Sequence, residues 1–276
     1  MISNKDNDVV NGFGDEWSRF NQTELTKEDL YEMFNGYFKI FPWAKLPKNS
    51  VGFDLGCGSG RWAKLVAPQV GLLHCIDASD QALKVAKENL KDIHNCKFHC
   101  ASVESIPLDD GSADFGYSLG VLHHVPDTLS GIRDCIQKLK KGAPFLLYLY
   151  YSFDNKPFWY KLLWKLSDFG RLFICRLPYV MRYIVSQVIA LMVYWPLARL
   201  GLLFELLGLN IDSFPLSYYR KRSFYVMRTD SLDRFGTRLE RRFTKKQIEE
   251  MMIQAGLEHI LFSHSKPYWC ALGFKK

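Results

Sequence analysis

The sequence DLGCGSG, residues 54–60, combines one carboxylate, Asp54, with three glycines at alternating positions. It overlaps the end of an apolar run over 51–55, which predicts a short buried strand. Glycines this dense permit positive φ and let a ligand approach the backbone closely. A carboxylate at a strand end suits an ammonium group or an ordered water better than a pyrophosphate.

The loop fits neither of two common phosphate-binding patterns. A dinucleotide fingerprint, Gly-x-Gly-x-x-Gly counted from Gly56, requires its third glycine where this chain has Arg61. A long charged side chain does not suit the close packing of helix on strand that this glycine serves. A P-loop is excluded because no Gly-Lys-Ser/Thr follows. The loop therefore predicts a ligand that needs no phosphate.

A second carboxylate, Asp77, follows the next predicted strand, 72–76. Ligands of doubly wound sheets bind at the carboxyl ends of the strands, and an acid at this place can accept both hydroxyls of a ribose. Asp54 and Asp77 together indicate a ligand with a ribose and a cationic end.

The elements that position these residues alternate along the chain. Strands are predicted over 51–55, 72–76, 96–100, 115–119 and 145–150, and helices over 24–40, 61–67, 79–91 and 129–140. This alternation predicts right-handed crossovers and a parallel sheet covered on both faces. A helix over 244–255 and strands over 257–264 and 268–274 predict a closing helix and an antiparallel hairpin at the sheet edge.

The pattern divides the chain into four predicted segments. They are a helical cap or lid over 1–48, an α/β core over 49–151, a basic and aromatic helical insertion over 152–230, and a closing segment over 231–276. Phe13, Trp17 and Phe20 recur at helical spacing in the cap. We favour a cap packed on the sheet; the alternative is a lid that excludes water from the ligand.

Five motifs follow one another in register: DLGCGSG, CIDAS, ASVESIPL, YSLGVLHHVPD and LKKGAPFLLYLY. In this order and spacing they resemble the motifs of class I S-adenosylmethionine-dependent methyltransferases, over residues 48–150 and more weakly over 231–276. The resemblance implies a seven-stranded Rossmann-like sheet, mostly parallel with an antiparallel edge hairpin. It also implies S-adenosylmethionine as cofactor and S-adenosylhomocysteine as product.

The resemblance also assigns roles to individual residues. Asp54, Gly56, Cys57 and Gly58 would bind the methionine part, Asp77 the ribose and Ala78 the adenine, with Leu119 and Gly120 near the sulfonium. Ser102 departs from the family, which usually has an acid there that pairs with the adenine amino group. Adenine recognition would then fall to Val103, Glu104 and backbone amides.

His124, just beyond the fourth predicted strand, is the candidate catalytic residue. A histidine can act as general base because its pKa lies near working pH. The alternative is a structural histidine bonded to nearby backbone. Methyl transfer from a sulfonium depends mainly on positioning and desolvation, so the reaction itself does not demand a base for every acceptor.

A metal site is not expected. His94, Cys96, His99 and Cys100 have the types of zinc ligands, but strand alternation puts the two cysteines and His99 on opposite faces.

The whole chain has a net charge of +7, and its basic residues concentrate in the later part. Residues 156–204 hold seven Lys/Arg against one acid, among many aromatic and leucine residues. We favour a lid over a hydrophobic substrate pocket; the alternatives are a homodimer interface and a surface that contacts a membrane. A transmembrane helix is not expected, because the uncharged run 183–198 is short of about twenty residues and Pro196 interrupts it.

The predicted function is methyl transfer to an oxygen or nitrogen of a small molecule that is hydrophobic, anionic, or linked to a glycan or lipid. The alternatives are an RNA or protein methyltransferase and a non-catalytic S-adenosylmethionine-binding scaffold. Residues 218–243 combine arginines with aromatics, but Asp230, Asp233 and Glu240 interrupt them, so nucleic acid is not expected. Arg228 or Arg234 contacting an anionic substrate is a further hypothesis.

The predicted location is cytoplasmic, with peripheral membrane contact as an open alternative. The first residues lack the pattern of a secretory signal. Seven cysteines without a CxxC pair indicate reduced thiols.

Overall fold

Seven strands form one sheet in the order β3-β2-β1-β4-β5-β7-β6 in the computed structural model, which describes residues 3–276. They are β1 (Val51–Leu55), β2 (Leu72–Asp77), β3 (Cys96–Cys100), β4 (Phe115–Leu119), β5 (Pro144–Tyr148), β6 (Leu257–Phe262) and β7 (Cys270–Lys275). The first five strands pair in parallel, and β7 pairs antiparallel with both β5 and β6. The predicted mostly parallel sheet with an antiparallel hairpin is confirmed.

Helices lie before and between the strands along the chain. They are α1 (Asn7–Arg19), α2 (Lys27–Tyr37), α3 (Ala63–Val66), α4 (Asp80–Asn89), α5 (Thr128–Lys138), α6 (Phe158–Ile174), α7 (Tyr179–Ile189), α8 (Trp195–Leu206), α9 (Phe224–Gly236) and α10 (Lys245–Gln254). Capping side chains fix several starts: Asp6 accepts the N–H groups of Asp8 and Val9 before α1, and Ser79 accepts that of Ala82 before α4.

Two aromatic rings lock β1 and β4 together. A Cβ on Gly52 would lie 2.2 Å from the ring of Phe115, and one on Gly116 would lie 2.3 Å from the ring of Phe53. Each glycine pairs in register with the ring on the other strand. Glycine is therefore required at both places, because the ring fills the space that a side chain would occupy.

The chain forms two compact units. The core unit comprises residues 3–22, 30–152 and 239–276 and holds the sheet; the helical unit comprises residues 23–29 and 153–238. The structure therefore ends the insertion at 238, where the sequence predicted 230, because α9 runs across the predicted boundary as one helix.

In the helical unit, α7 and α8 join into one continuous helix over 179–206. A π turn (Ala190–Tyr194) connects them, with the N–H of Trp195 donating to the carbonyl of Ala190. The prediction that Pro196 interrupts this run is wrong. The wide turn just before the proline and its place at the start of α8 accommodate the ring and the missing N–H. Among the described residues, this 28-residue helix is the one long and apolar enough to cross a membrane.

Candidate functional site

A cleft of about 950 Å³, part of it open to solvent, lies at the carboxyl ends of β1, β2 and β4 in the core unit. All but one of the predicted site residues line it: Gly56, Cys57, Gly58, Asp77, Ala78, Ser102, Val103, Leu119, Gly120 and His124. The exception is Asp54. The topology thus brings together residues that are up to 68 positions apart in the sequence, 124 minus 56.

The glycine loop forms a cradle that only glycine can form. Gly56, Gly58 and Gly60 have φ of +76°, +53° and +77°, a region that side-chain-bearing residues rarely adopt. A Cβ on Gly56 would also lie 2.3 Å from Val121, and one on Gly58 would lie 2.9 Å from the indole of Trp17. The backbone at Gly56 and Gly58, which line the cleft, can therefore be approached closely by a ligand.

Asp77 lies at the tip of β2 on the cleft wall. Its two carboxylate oxygens accept the backbone N–H groups of Gly58 and Ser79, each at 2.9 Å. Burial raises the pKa of this carboxyl, and the two N–H groups act in the opposite direction. Each oxygen has a further lone pair, so the carboxylate can still accept hydroxyl groups of a ligand.

Asp54 is not among the residues that line the cleft, and its place beside the methionine part of a ligand stays a prediction. Its side chain is buried and accepts the hydroxyl of Tyr117 at 3.0 Å, on the neighbouring strand β4. Burial raises the pKa of Asp54 to about 8, so the carboxyl is largely neutral at pH 7. The buried carboxyl is thus tied to β4 beneath the glycine loop through its hydrogen bond with Tyr117.

At the predicted adenine end, Ser102 and Glu104 differ in what they contact. The Ser102 hydroxyl lies on the cleft, 3.1 Å from the Ser105 hydroxyl. Glu104 instead accepts the hydroxyl of Ser3 at 2.7 Å and the N–H of Asn4 at 2.6 Å. These hydrogen bonds, first the one from Asn4, lower the pKa of Glu104. Glu104 therefore fastens the segment before α1 to the core unit.

Helix α1 supplies one wall of the cleft. Residues Asn4, Lys5, Asp6, Val9, Val10, Phe13 and Trp17 line it. The helix approaches closely at Gly14, where a Cβ would lie 2.6 Å from the Ser79 hydroxyl. The sequence predicted Phe13 and Trp17 as part of a cap packed on the sheet, with a lid over the ligand as the alternative. Their four-residue spacing with a glycine between them is the sequence signal that marks this close approach.

Arg61 also lines the cleft, a role that the sequence did not predict. Its guanidinium lies 4.2 Å from the ring centre of Trp62 and 5.9 Å from that of Trp17. Its Nε is buried without a hydrogen-bond partner among residues 3–276. A guanidinium N–H held in this way suits an anionic ligand group such as a carboxylate.

His124 is held with one ring nitrogen fixed. Nδ1 lies 2.6 Å from the carbonyl oxygen of Leu239. A carbonyl only accepts, so Nδ1 carries the proton and Nε2 keeps a lone pair. Nε2 is buried with no partner in the described part of the chain, and Phe13 packs 4.9 Å away, centroid to centroid. His124 can therefore be bonded to the backbone through Nδ1 and still accept a proton at Nε2, so the two alternatives do not exclude each other.

The comparisons with known proteins agree with this site. Residues 53–147 match the family model of the methyltransferase domain. Residues 53–147 therefore form a methyltransferase domain of the class I S-adenosylmethionine-dependent type. The family predicted from the five motifs is confirmed.

Three curated relatives match part of the chain. The uncharacterized methyltransferase YcgJ of Bacillus subtilis is 30% identical over 101 residues, covering 36% of this chain and 40% of YcgJ. The ubiquinone biosynthesis O-methyltransferase of Coxiella burnetii is 27% identical over 106 residues, covering 38% and 44%. The demethylmenaquinone methyltransferase of Listeria welshimeri is 29% identical over 121 residues, covering 42% and 50%. The chain thus spans half or less of the length of these relatives.

Two solved structures share the fold of the methyltransferase domain. The CurJ carbon methyltransferase is 12% identical with a TM-score of 0.53, covering 95% of this chain and 58% of that chain. A Thermotoga maritima S-adenosylmethionine-dependent methyltransferase is 15% identical with a TM-score of 0.50, covering 96% and 100%. At these identities the likeness concerns the fold.

Two other groups singled out in the sequence lie away from the methyltransferase cleft. No group of three or more His, Cys, Asp or Glu within residues 3–276 could hold a metal. His99 pairs instead with His74 on β2, at 2.9 Å between ring nitrogens.

The hypothesis that Arg228 or Arg234 contacts a substrate is not supported by their positions. Neither residue lines the cleft. Arg228 donates to Gln187 at 2.6 Å, and Arg234 contacts Asp168 at 3.2 Å, both inside the helical unit. These arginines hold helices of the insertion together.

Proposed function

We propose that this chain transfers the methyl group of S-adenosylmethionine to an oxygen or nitrogen of a small hydrophobic acceptor. One observation carries the proposal. The glycine cradle with Asp77 at its edge lies in the same cleft as His124 and the walls of α1. The backbone at the loop glycines leaves room for the methionine part of that cofactor. The remaining lone pairs of Asp77 fit its ribose hydroxyls, and the unpaired Nε of Arg61 fits its carboxylate.

The roles of the residues follow from their chemistry. Asp77 would accept the ribose hydroxyls, the backbone of 56–58 would contact the methionine part, and Arg61 would bind its carboxylate. Ala78, Ser102 and Val103 would contact the adenine, and Leu119 and Gly120 would lie near the sulfur. When bound, the cofactor supplies a methyl group on a sulfonium that is already an activated leaving group.

His124 would act on the acceptor. Its Nε2 lone pair can take a proton from an acceptor hydroxyl, and the Leu239 carbonyl stabilises the ring orientation in which it does so. A neutral amine acceptor needs no base before transfer. Phe13 and Trp17 on the α1 wall would exclude water from the reacting groups.

A hydrophobic acceptor is favoured by two observations. The α1 wall is largely apolar, with Val9, Val10 and Phe13 on the cleft. Two of the relatives are named for ubiquinone biosynthesis and for demethylmenaquinone, which are lipid-soluble quinones. Transfer to RNA or protein and a non-catalytic scaffold remain as outcomes of the experiments below.

Cofactor binding is tested by titration calorimetry with S-adenosylhomocysteine. We expect Asp77→Ala to weaken binding at least about tenfold, since a hydrogen bond to a charged group contributes about 1.5–3 kcal/mol. Arg61→Ala should weaken it by a similar factor. The matched controls are Asp80→Ala and Lys64→Ala, both at exposed positions nearby. Unchanged affinity in Asp77→Ala would contradict the proposed site.

Transfer is tested with methyl-labelled S-adenosylmethionine in a fractionated cell extract. Label in the organic-soluble fraction supports the proposed acceptor class, and label in precipitated RNA or protein contradicts it. With a purified hydroxyl acceptor, His124→Gln should lower kcat by about 10²–10⁴-fold and leave cofactor affinity unchanged. Intact binding with no transfer to any fraction would favour the scaffold.

A further inference from the structure

The helical unit exposes most of the large apolar side chains found at the surface. All those that are exposed among the described residues lie within 158–209, except Tyr31, Ile253 and Leu261. Soluble monomers rarely expose a contiguous apolar patch larger than a few hundred Å². A surface with this many leucine, phenylalanine and tryptophan side chains needs a covering environment.

On α6 these side chains form a stripe with a basic border. Phe158, Leu162, Leu166, Phe169 and Phe173 recur at three- and four-residue spacing and are exposed. Lys161 and Lys165, one turn apart, lie beside this stripe, and no ion pair joins either of them to an acid among residues 3–276.

Residues 158–209, which carry the exposed apolar side chains, contain two acids, and both are paired. Asp168 pairs with Arg171 at 2.6 Å, and Glu205 pairs with Arg220 at 2.8 Å. A second copy that packed through this same face would therefore bring lysines against lysines, and neither of the two acids would be free to meet them. Anionic lipid headgroups have the complementary charge, and lysines beside apolar and aromatic residues are typical of interfacial helices.

The long helix over 179–206 has one face bound to protein. Arg182 donates to the Gly236 carbonyl at 2.8 Å, Gln187 accepts from Arg228 at 2.6 Å, and Arg199 donates to the Arg220 carbonyl at 2.9 Å. Its other face carries exposed residues including Ile184, Val188, Met192 and Leu203. A helix tied by polar contacts along its length fits one that lies in the membrane surface rather than one that crosses it.

We infer that the outer apolar faces of α6 and of the 179–206 helix dock on the surface of a membrane that contains anionic lipid. The apolar side chains enter the boundary between headgroups and acyl chains, while Lys161 and Lys165 contact headgroup phosphates. None of these residues lines the methyltransferase cleft, so membrane docking can be tested without methyl transfer.

The test is flotation of the full-length protein with vesicles of phosphatidylcholine and phosphatidylglycerol, without cofactor. We expect wild type to float and the double variant Leu166→Glu/Met192→Glu to bind at least about tenfold more weakly. These side chains are 64% and 68% exposed, so the fold should tolerate the change, which thermal unfolding by circular dichroism checks. Ile253→Glu, at a 48% exposed position on α10, is the matched control and should bind as wild type.

The charge part has its own variant. Lys161→Ala/Lys165→Ala should weaken binding to the anionic vesicles by about fivefold for each lysine, and leave binding to phosphatidylcholine alone unchanged. Three results would overturn the inference. They are equal flotation of wild type and Leu166→Glu/Met192→Glu, a lipid-free dimer that the same substitutions dissociate while wild type fails to float, and retention in native membranes after alkaline carbonate extraction, which indicates a spanning helix.

Discussion

The core unit and the helical unit place apolar and charged residues in opposite ways. In the core unit, one cluster of twenty buried residues around Phe53, Phe145 and Leu147 fills the space between the sheet and its helices. In the helical unit the buried cluster has four members, Tyr194, Ala198, Met227 and Phe235. Its interior also holds arginines, among them Arg171 and Arg222, while many of its leucine and phenylalanine side chains, such as Phe158 and Leu166, are exposed.

The difference indicates two sources of stability in one chain. Burial of apolar surface stabilises the core unit in water. The helical unit depends more on ion pairs and on arginines that donate to backbone carbonyls, such as Arg171 to Thr237 at 2.9 Å. The two units also treat a buried carboxyl differently: Asp54 is kept neutral, whereas Asp29 is paired with Arg222.

The largest effect on the free energy of unfolding is expected when one member of a buried ion pair in the helical unit is removed. Asp29 lies 3.4 Å from Arg222, with side chains 7% and 6% exposed, and it also accepts the N–H of Ser223. Asp29→Ala leaves a buried charge without its carboxylate and should lower the free energy of unfolding by about 3–5 kcal/mol. Urea unfolding measures it.

Glu205→Ala is the control for this prediction, because it removes a partner of Arg220 from a more exposed pair. Its effect on the urea midpoint should be clearly smaller than that of Asp29→Ala. Equal effects of the two substitutions would mean that burial of the charges does not set the stability of the helical unit.

Asp54→Asn in the core unit should have the opposite sign from Asp29→Ala, because removing this buried carboxyl should raise the free energy of unfolding relative to wild type. Between about pH 4 and pH 8 the folded protein keeps the Asp54 proton that the unfolded chain has lost. The contribution of Asp54 to wild-type stability therefore falls as pH rises through this range. Asp54→Asn removes that loss, so its advantage over wild type should grow by at most about 1.4 kcal/mol per pH unit.

Urea unfolding at several pH values tests this slope. Asp92→Asn, on an exposed turn, is the control and should follow the wild-type slope. If Asp54→Asn and wild type ran parallel from pH 4 to pH 8, then Asp54 would be ionised in the folded protein, and its description as a neutral buried carboxyl would be wrong.

Two glycine substitutions compare the packing of the units directly. Gly52→Ala places a methyl group 2.2 Å from the Phe115 ring and should lower the free energy of unfolding by about 1–3 kcal/mol. Gly170→Ala, inside α6, meets no described atom within 4 Å and should raise it by up to about 1 kcal/mol. Thermal unfolding of both variants gives the two signs, and a loss in Gly170→Ala would show that α6 is packed there.

The parallel sheet with its edge hairpin could be predicted from the alternation of strands and helices, and most cleft residues from the resemblance of five motifs to a known family. Strands β2 and β4 flank β1 in parallel, so Asp77 and His124 come to the same edge of the sheet. The glycine loop could be recognised without knowing its partners, since three closely spaced glycines permit the positive φ that the structure shows.

The remaining features depend on partners distant in the chain. The role of Asp54 is set by Tyr117 on another strand, and that of Arg61 by Trp17 on α1. Neither contact leaves a trace in local spacing. Pro196 was misjudged for a related reason, since the π turn that accommodates it is a property of the whole helix.

The smallest effect is expected at the outer face of the helical unit in the absence of lipid. Leu166 and Met192 are exposed, so Leu166→Gln and Met192→Gln should each stay within about 0.5 kcal/mol of wild type in urea unfolding. Leu122→Gln, at a fully buried position of the core unit, should lose at least about 2 kcal/mol. A comparable loss of unfolding free energy at Leu166 or Met192 would mean that another protein surface already covers this face in solution. The exposed apolar residues of the helical unit would then belong to a protein interface and not to a membrane-facing surface.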